Sequence, residues 1–196
     1  MDSSTQYALA YALSTTAGLR GFLTLLAASV AAHAGWIHPG AGFAWLGSTH
    51  VTELLAVFAT GEFVGDKIPV VDHVLHAVYL AARPLIGAIL VGGTVHSGNP
   101  MERDVAMGVG ALNALVVHSA SSATRAGSSA VSLGAGTPLI SLIEDAATVA
   151  GIIVAFIQPF VAAVLAAVLL LTLLWTTRSV VRGIRGRRRT STHGAM

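Results

Sequence analysis

Apolar residues run along this chain in long blocks, and the period-2 alternation that marks a membrane barrel is absent. The blocks are Tyr7–Ala32, Val51–Gly65, Pro84–Val95 with the residues before it, Val105–His118, Leu139–Phe156 and Phe160–Thr176. Several approach the roughly 20 residues that a helix needs to span a bilayer. In lipid every backbone polar group needs an internal partner, so these blocks read as helices. The expectation is an all-α polytopic transmembrane bundle of about six spans, several of them short or interrupted.

The polar breaks refine this picture. The first block is too long for one straight helix and is interrupted by "GLRG", Gly18 to Gly21. Trp36, Phe43 and Trp45 in "HAGWIHPGAGFAWLGSTH" suit the membrane–water interface. "HSGNPMERD" reads as a plain turn, and Arg83–Pro84 and Gln158–Pro159 each read as the opening of an apolar helix. "SASSATRAGSSAVSLGAGTP" is too polar to face lipid, yet apolar runs flank it. It reads as a small-residue helix inside the bundle or as a re-entrant segment buried in protein.

The order arginine, acid, X-Pro occurs twice. Arg20, Glu62 and Arg83–Pro84 come first, then Arg125, Glu144–Asp145 and Gln158–Pro159. The arginine-to-glutamate gaps are 42 and 19 residues, and removing the 18-residue stretch His33–His50 brings the first to 24. This points to two repeats, 5–97 and 104–177, within a transmembrane domain 1–177. Halves with an odd number of spans, three each, are inverted relative to one another, a transporter-type architecture.

Composition agrees with a membrane protein. Of 196 residues 54% are hydrophobic and 10% charged, and mean hydropathy is +0.75; soluble domains carry about 25% charged residues. The chain begins without the basic stretch of a signal peptide. It has no cysteine, which excludes disulfides and thiolate metal sites. The net charge of +2 conceals an asymmetry, because six arginines lie between Arg178 and Arg189. Without them five basic residues face nine acids, leaving −4. A basic tail, 178–196, beside the last span places the C-terminus in the cytoplasm of a multi-pass cell-membrane protein. The tail suits anionic headgroups better than nucleic acid.

Charge within the apolar blocks carries the chemistry. A charged side chain at the centre of a span costs roughly 2.5–3.5 kcal/mol on insertion scales. Glu62, Asp66, Asp72, Glu144 and Asp145, with Arg20, Lys67, Arg83 and Arg125, must therefore sit at interfaces, pair with one another or line a wet cavity. Glu62 and Asp66 share a helix face, where they need a bound cation, a shared proton or facing bases. The plainer reading puts Asp66 and Lys67 at headgroup level and makes Asp72 the N-cap of the next helix. Thr137–Pro138 reads as a helix start, which sets Glu144 and Asp145 two turns inside. Arg20 and Arg125 are the internal counter-charges, suited to clamping a carboxylate or phosphate.

Asp72, His73 and His76 have helical spacing for a metal such as zinc, but without cysteines or a second cluster the signal is thin. His118 heads a serine-rich run without the Gly-x-Ser-x-Gly elbow, and neither a P-loop nor a dinucleotide fingerprint occurs.

"AGLRGFLTLL", "GFAWLGS", "EFVGDKIPVVDHV", "RPLIGAIL", "HSASSATRAGSS" and "GTPLISLIEDA" together resemble a bacterial family of integral membrane proteins, domain of unknown function four-one-two-six. The resemblance covers nearly all of the chain except the arginine-rich tail and implies no activity.

The functional expectation is a transporter or channel-like permease for a small polar or anionic solute. Glu62, Asp66, Glu144 and Asp145 bind a cation or carry protons; Arg20, Lys67, Arg83 and Arg125 balance them or hold an anion. Its rivals are a membrane enzyme using magnesium on a lipid phosphate and a non-catalytic scaffold. No cofactor is expected beyond a bound cation. The expected partners are the bilayer, the solute or ion and, for a chain this small, a second copy, with no nucleic acid.

Overall fold

A computed structural model describes the backbone of residues 1–65, 69–132 and 136–193, and side chains outside 41, 66–77, 128–138, 180–181 and 183–196. Within these limits the chain is helical, with no strand. The helices are α1 (Ser3–Leu19), α2 (Gly21–His33), α3 (Thr49–Gly65), α4 (Pro69–Thr94), α5 (Pro100–Ser132), α6 (Gly136–Ile157) and α7 (Pro159–His193), with a 3-10 helix over Ala41–Gly47. Among the described residues Pro100–Gly127, Leu139–Ile157 and Pro159–Ser179 are long and apolar enough to cross a membrane; Gly21–His33 and Val78–Thr94 are shorter apolar helices. The expected all-α bundle with interrupted helices is present.

The interruption falls where "GLRG" marks it. Arg20 has extended dihedrals, φ −138° and ψ 91°, and separates α1 from α2. The direction of each piece follows from contacts with α4. Gln6 near the start of α1 accepts a hydrogen bond from His96 N, just past α4, whereas Gly18 and Leu19 carbonyls meet Arg83. Thus α1 runs antiparallel to α4. Gly21 lies against Ile86, while Leu46, beside the end of α2, lies against Gly93. So α2 runs back the way α1 came. The two form a hairpin that enters and leaves at one end of the bundle, with α1 reaching about 25 Å in at 1.5 Å per residue.

Around this hairpin the helices alternate. Antiparallel α2 and α3 meet through Ser29 and Thr52 hydroxyls at 2.8 Å and stacked Phe22 and Phe58 rings 5.1 Å apart. Parallel α1 and α5 are joined where Asn113 Nδ2 donates to Ser14 Oγ and Thr15 Oγ1, each at 2.8 Å. The interior is built from Leu9, Leu13, Leu25, Leu46, Ile86 and Leu90, with alanines between them. Large apolar side chains also cover the outside. Val161, Val164, Val168, Leu171 and Trp175 make an exposed stripe on α7 at spacings of three and four, which suits lipid rather than water.

Two local readings change, and one open alternative is decided. Pro84 lies inside α4 rather than opening a helix. Proline removes only one ladder bond, and neighbouring helices support the interrupted turn. The small-residue segment after His118 continues α5 as far as Ser132, so of its two expected forms it takes the helix, and the turn back inside the bundle is made by α1 and α2. Asp72 falls three residues inside α4, which starts at Pro69, so the cap position lies upstream of it. By contrast Asn99 caps α5, accepting from Met101 N at 3.0 Å with Pro100 as the first helical residue.

Glycines let backbones touch at two crossings. A Cβ on Gly18 would lie 2.4 Å from Val117 Cβ, and one on Gly87 would lie 2.5 Å from the Gly110 carbonyl oxygen. Nothing lies within 4 Å of such an atom on Gly61 in α3. Gly87→Ala is therefore expected to destabilise the bundle by about 1–3 kcal/mol. Gly61→Ala is expected to be neutral or stabilising by about 0.5–1 kcal/mol, because only the entropic term of glycine changes. Unfolding of the purified protein in mixed micelles checks both signs.

Candidate functional site

The break at Arg20 leaves two helix ends inside the bundle. The last carbonyls of α1 and the first N–H groups of α2 have no partner within their own helices. Two side chains from other helices supply them. Glu62 of α3 accepts Gly21 N at 3.0 Å on Oε1, and Phe22 N at 3.0 Å and Leu23 N at 3.3 Å on Oε2. Arg83 of α4 donates through Nη1 to the carbonyls of Gly18 and Leu19. Each charge thus meets the helix end of opposite polarity. The two also face one another, Arg83 Nη2 to Glu62 Oε1 at 3.3 Å, and Arg83 lies 4.8 Å from the Tyr79 ring centroid. Glu62 and Arg83 are 2% and 3% exposed, so water contributes little to either.

Arg20 itself points the other way. Its extended backbone aims the side chain at α6, where Nε lies 2.5 Å from Asp145 Oδ1 and Nη2 donates to Ser141 Oγ at 2.9 Å. Immediately before Asp145 on α6, Glu144 accepts from Ser121 Oγ through Oε1 and from Arg125 Nη2 through Oε2, both on α5. Thr148 Oγ1 donates to the Glu144 carbonyl at 2.8 Å. Glu62–Arg83, Arg20–Asp145 and Arg125–Glu144 therefore make three ion pairs among four elements and the break itself.

The level of the cluster in the bundle follows from contacts along α5. Gly18 packs on Val117; one turn further along α5, Ala120 O accepts from Thr177 Oγ1 at 3.1 Å. Thr124 and Thr176 hydroxyls are 3.3 Å apart. Thr177 immediately precedes Arg178, where α7 turns basic. The hairpin tip meets α4 and α5 near their middles, about a turn short of the level where the arginine-rich tail begins.

Of the acids and bases singled out in the sequence, Arg20, Glu62, Arg83, Arg125, Glu144 and Asp145 come together. Asp66 and Lys67 lie outside the described residues, as do the side chains of Asp72, His73 and His76. Among the described residues no group of three or more His, Asp or Glu could hold a metal. Glu53 is exposed beside His50 at 3.8 Å, consistent with an interfacial position. Ser121 and Ser141 belong to the site although sequence reasoning passed over them. Each precedes a charged partner, Arg125 or Asp145, by four residues and so shares its helix face.

An all-α bundle with lipid-suited helices and a buried ionic centre defines the chain as a membrane protein. It belongs to the family described as Domain of unknown function (DUF4126), whose model matches residues 7–179. No curated protein and no solved structure matches the chain.

Removing one partner of a buried pair leaves the other charge stranded, at a cost of about 3–5 kcal/mol. Glu62→Ala is expected to destabilise by that amount and to speed amide exchange at Gly21, Phe22 and Leu23. The double variant Glu62→Met with Arg83→Met is expected to lose at least as much, because it bares the α1 carbonyls as well as the α2 N–H groups. Exchange mass spectrometry and unfolding in micelles read both effects.

Proposed function

We propose that this protein is a transporter or channel-like permease for a small polar or anionic solute, with the α1–α2 hairpin as its gate. The reading is carried by the break at Arg20, where two half-helix ends of opposite polarity meet charged side chains inside the bundle. Discontinuous helices of this kind form substrate and ion sites in secondary transporters. In the closed arrangement Glu62, Glu144 and Asp145 neutralise Arg83, Arg125 and Arg20. A proton or cation at an acid, or an anionic solute at an arginine, replaces an internal partner with an external one. Asp66 and Lys67, which follow Glu62 by four and five residues, belong to the same exchange.

Arg20 joins the two sequence halves, because α1 and α2 lie in 5–97 and Asp145 and Ser141 in 104–177. Breaking these contacts frees the hairpin tip from α6 and lets one half move against the other, as inverted repeats do. The basic tail lies in the cytoplasm by the positive-inside rule, so the gate closes the cytoplasmic end of the path. One observation favours a second reading: every described charge in the cluster already has a partner, as in a membrane scaffold held rigid by closed pairs.

Proteoliposomes separate the two. Proton flux under an imposed pH gradient, with chloride or phosphate present, is expected in the wild type. Asp145→Asn and Glu144→Gln are each expected to lower it by about tenfold or more, the size of a typical site-to-site coupling. Equal flux in all three proteins removes the acids from the mechanism; no flux from a correctly folded wild type favours the scaffold.

A further inference from the structure

A groove of about 270 Å³ lies away from the ion pairs, at the end of the bundle where α1 and α5 begin, between α1, α4 and α5. Its walls are mostly apolar, Ala10, Val91, Val105, Ala106 and Val109 among them. Val105 and Val109 are largely exposed, so the groove opens sideways toward lipid. It runs from Glu102 in the first turn of α5 to Gly110, about 12 Å along the helix axis.

The mouth has a different chemistry from the walls. Glu102 is the one ionised side chain among the described lining residues. Its Oε1 accepts Tyr7 Oη and its Oε2 accepts Ser97 Oγ, both at 2.7 Å. Tyr7 and Tyr11 stand on one face of α1, four residues apart, and both line the groove. Ser14 forms its inner polar point, with its hydroxyl already held by Asn113. The neighbouring Arg103 turns away, lying 3.6 Å from Asp104 and lining a separate cavity with His96.

A carboxylate with two phenol rings at the rim of an apolar slot is complementary to a cation with an apolar body. The rings attract the positive charge through their faces, the exposed carboxylate adds Coulomb attraction at the mouth, and the walls take the tail. An anionic amphiphile meets the wrong sign at the mouth, and a neutral chain gains only the walls. We infer that this groove binds a lipophilic organic cation, an alkylammonium in chemical class, entering from the bilayer with its head at Glu102. The inference is independent of the transport reading, since it concerns equilibrium binding at a different site.

The test is binding of octyltrimethylammonium to the full chain in zwitterionic nanodiscs, against empty discs, with 1-octanol and octyl sulfate as neutral and anionic probes. Saturable protein-dependent binding of the cation is expected, with both other probes weaker. Glu102→Gln is expected to weaken the cation by about an order of magnitude. Ala106→Phe, which fills the groove, is expected to abolish binding while the helical spectrum and melting stay normal. Tyr7→Phe keeps the carboxylate and is expected to retain most of the affinity. Equal affinity of wild type and Glu102→Gln overturns the inference, as does octanol binding as tightly as the cation. Absence of saturable binding to the folded wild type overturns it too.

Discussion

A chain that turns back inside an apolar bundle must satisfy the backbone groups it exposes there. At the end of α1 and the start of α2 those groups are two carbonyls and three N–H groups directed at charged side chains. Each would cost several kcal/mol if left bare in a medium without water. Serine or threonine caps from the same helix handle this in soluble proteins. Here the caps are Glu62 and Arg83, delivered from α3 and α4 and neutralising each other. The hairpin, the positions of α3 and α4, and the burial of both charges are consequences of one requirement. Neither charge would be tolerable without the break, and the break would not be tolerable without them.

The remaining pairs extend this centre. Because Glu62 and Arg83 serve the backbone on either side of Arg20, its own guanidinium is left for α6. Asp145 anchors it, and the adjacent Glu144 ties α6 to α5 through Arg125 and Ser121. Charge is therefore balanced pair by pair rather than over the molecule. Buried pairs of this type add little net stability compared with apolar residues of the same shape. Their value lies in specifying which helices meet and at what register, or in being exchangeable for a ligand.

Much of this was legible in the chain. Block lengths and the absence of alternation gave the helical membrane class, and Gly18-Leu19-Arg20-Gly21 showed where the first block breaks. The cost of intramembrane charge pointed to Arg20 and Arg125 as partners of acids before any geometry was available. What stayed hidden depended on through-space meetings. Nothing local marks Glu62 as the cap of a helix starting 41 residues earlier, because a cap is normally sought within one turn. Pro84 looked like a helix start because proline is favourable there, yet a bundle can support it mid-helix. The serine-rich segment looked too polar for an ordinary span. In α5, Ser121 and Thr124 instead meet Glu144 and Thr176 on α6 and α7, so those hydroxyls are satisfied inside the protein.

The position of the ionic centre along the bundle has its own logic. The tip meets α4 at Arg83 and α5 at Val117, near the middle of both helices. There the charges are held by their partners rather than by water, because Arg20, Glu62 and Arg83 are nearly closed to solvent. One turn further along α5 the carbonyl of Ala120 accepts from Thr177, which immediately precedes the first tail arginine. Removing a partner at the tip strands a charge that water does not reach, so the pairs fix which helices meet unless another ligand takes the partner's place.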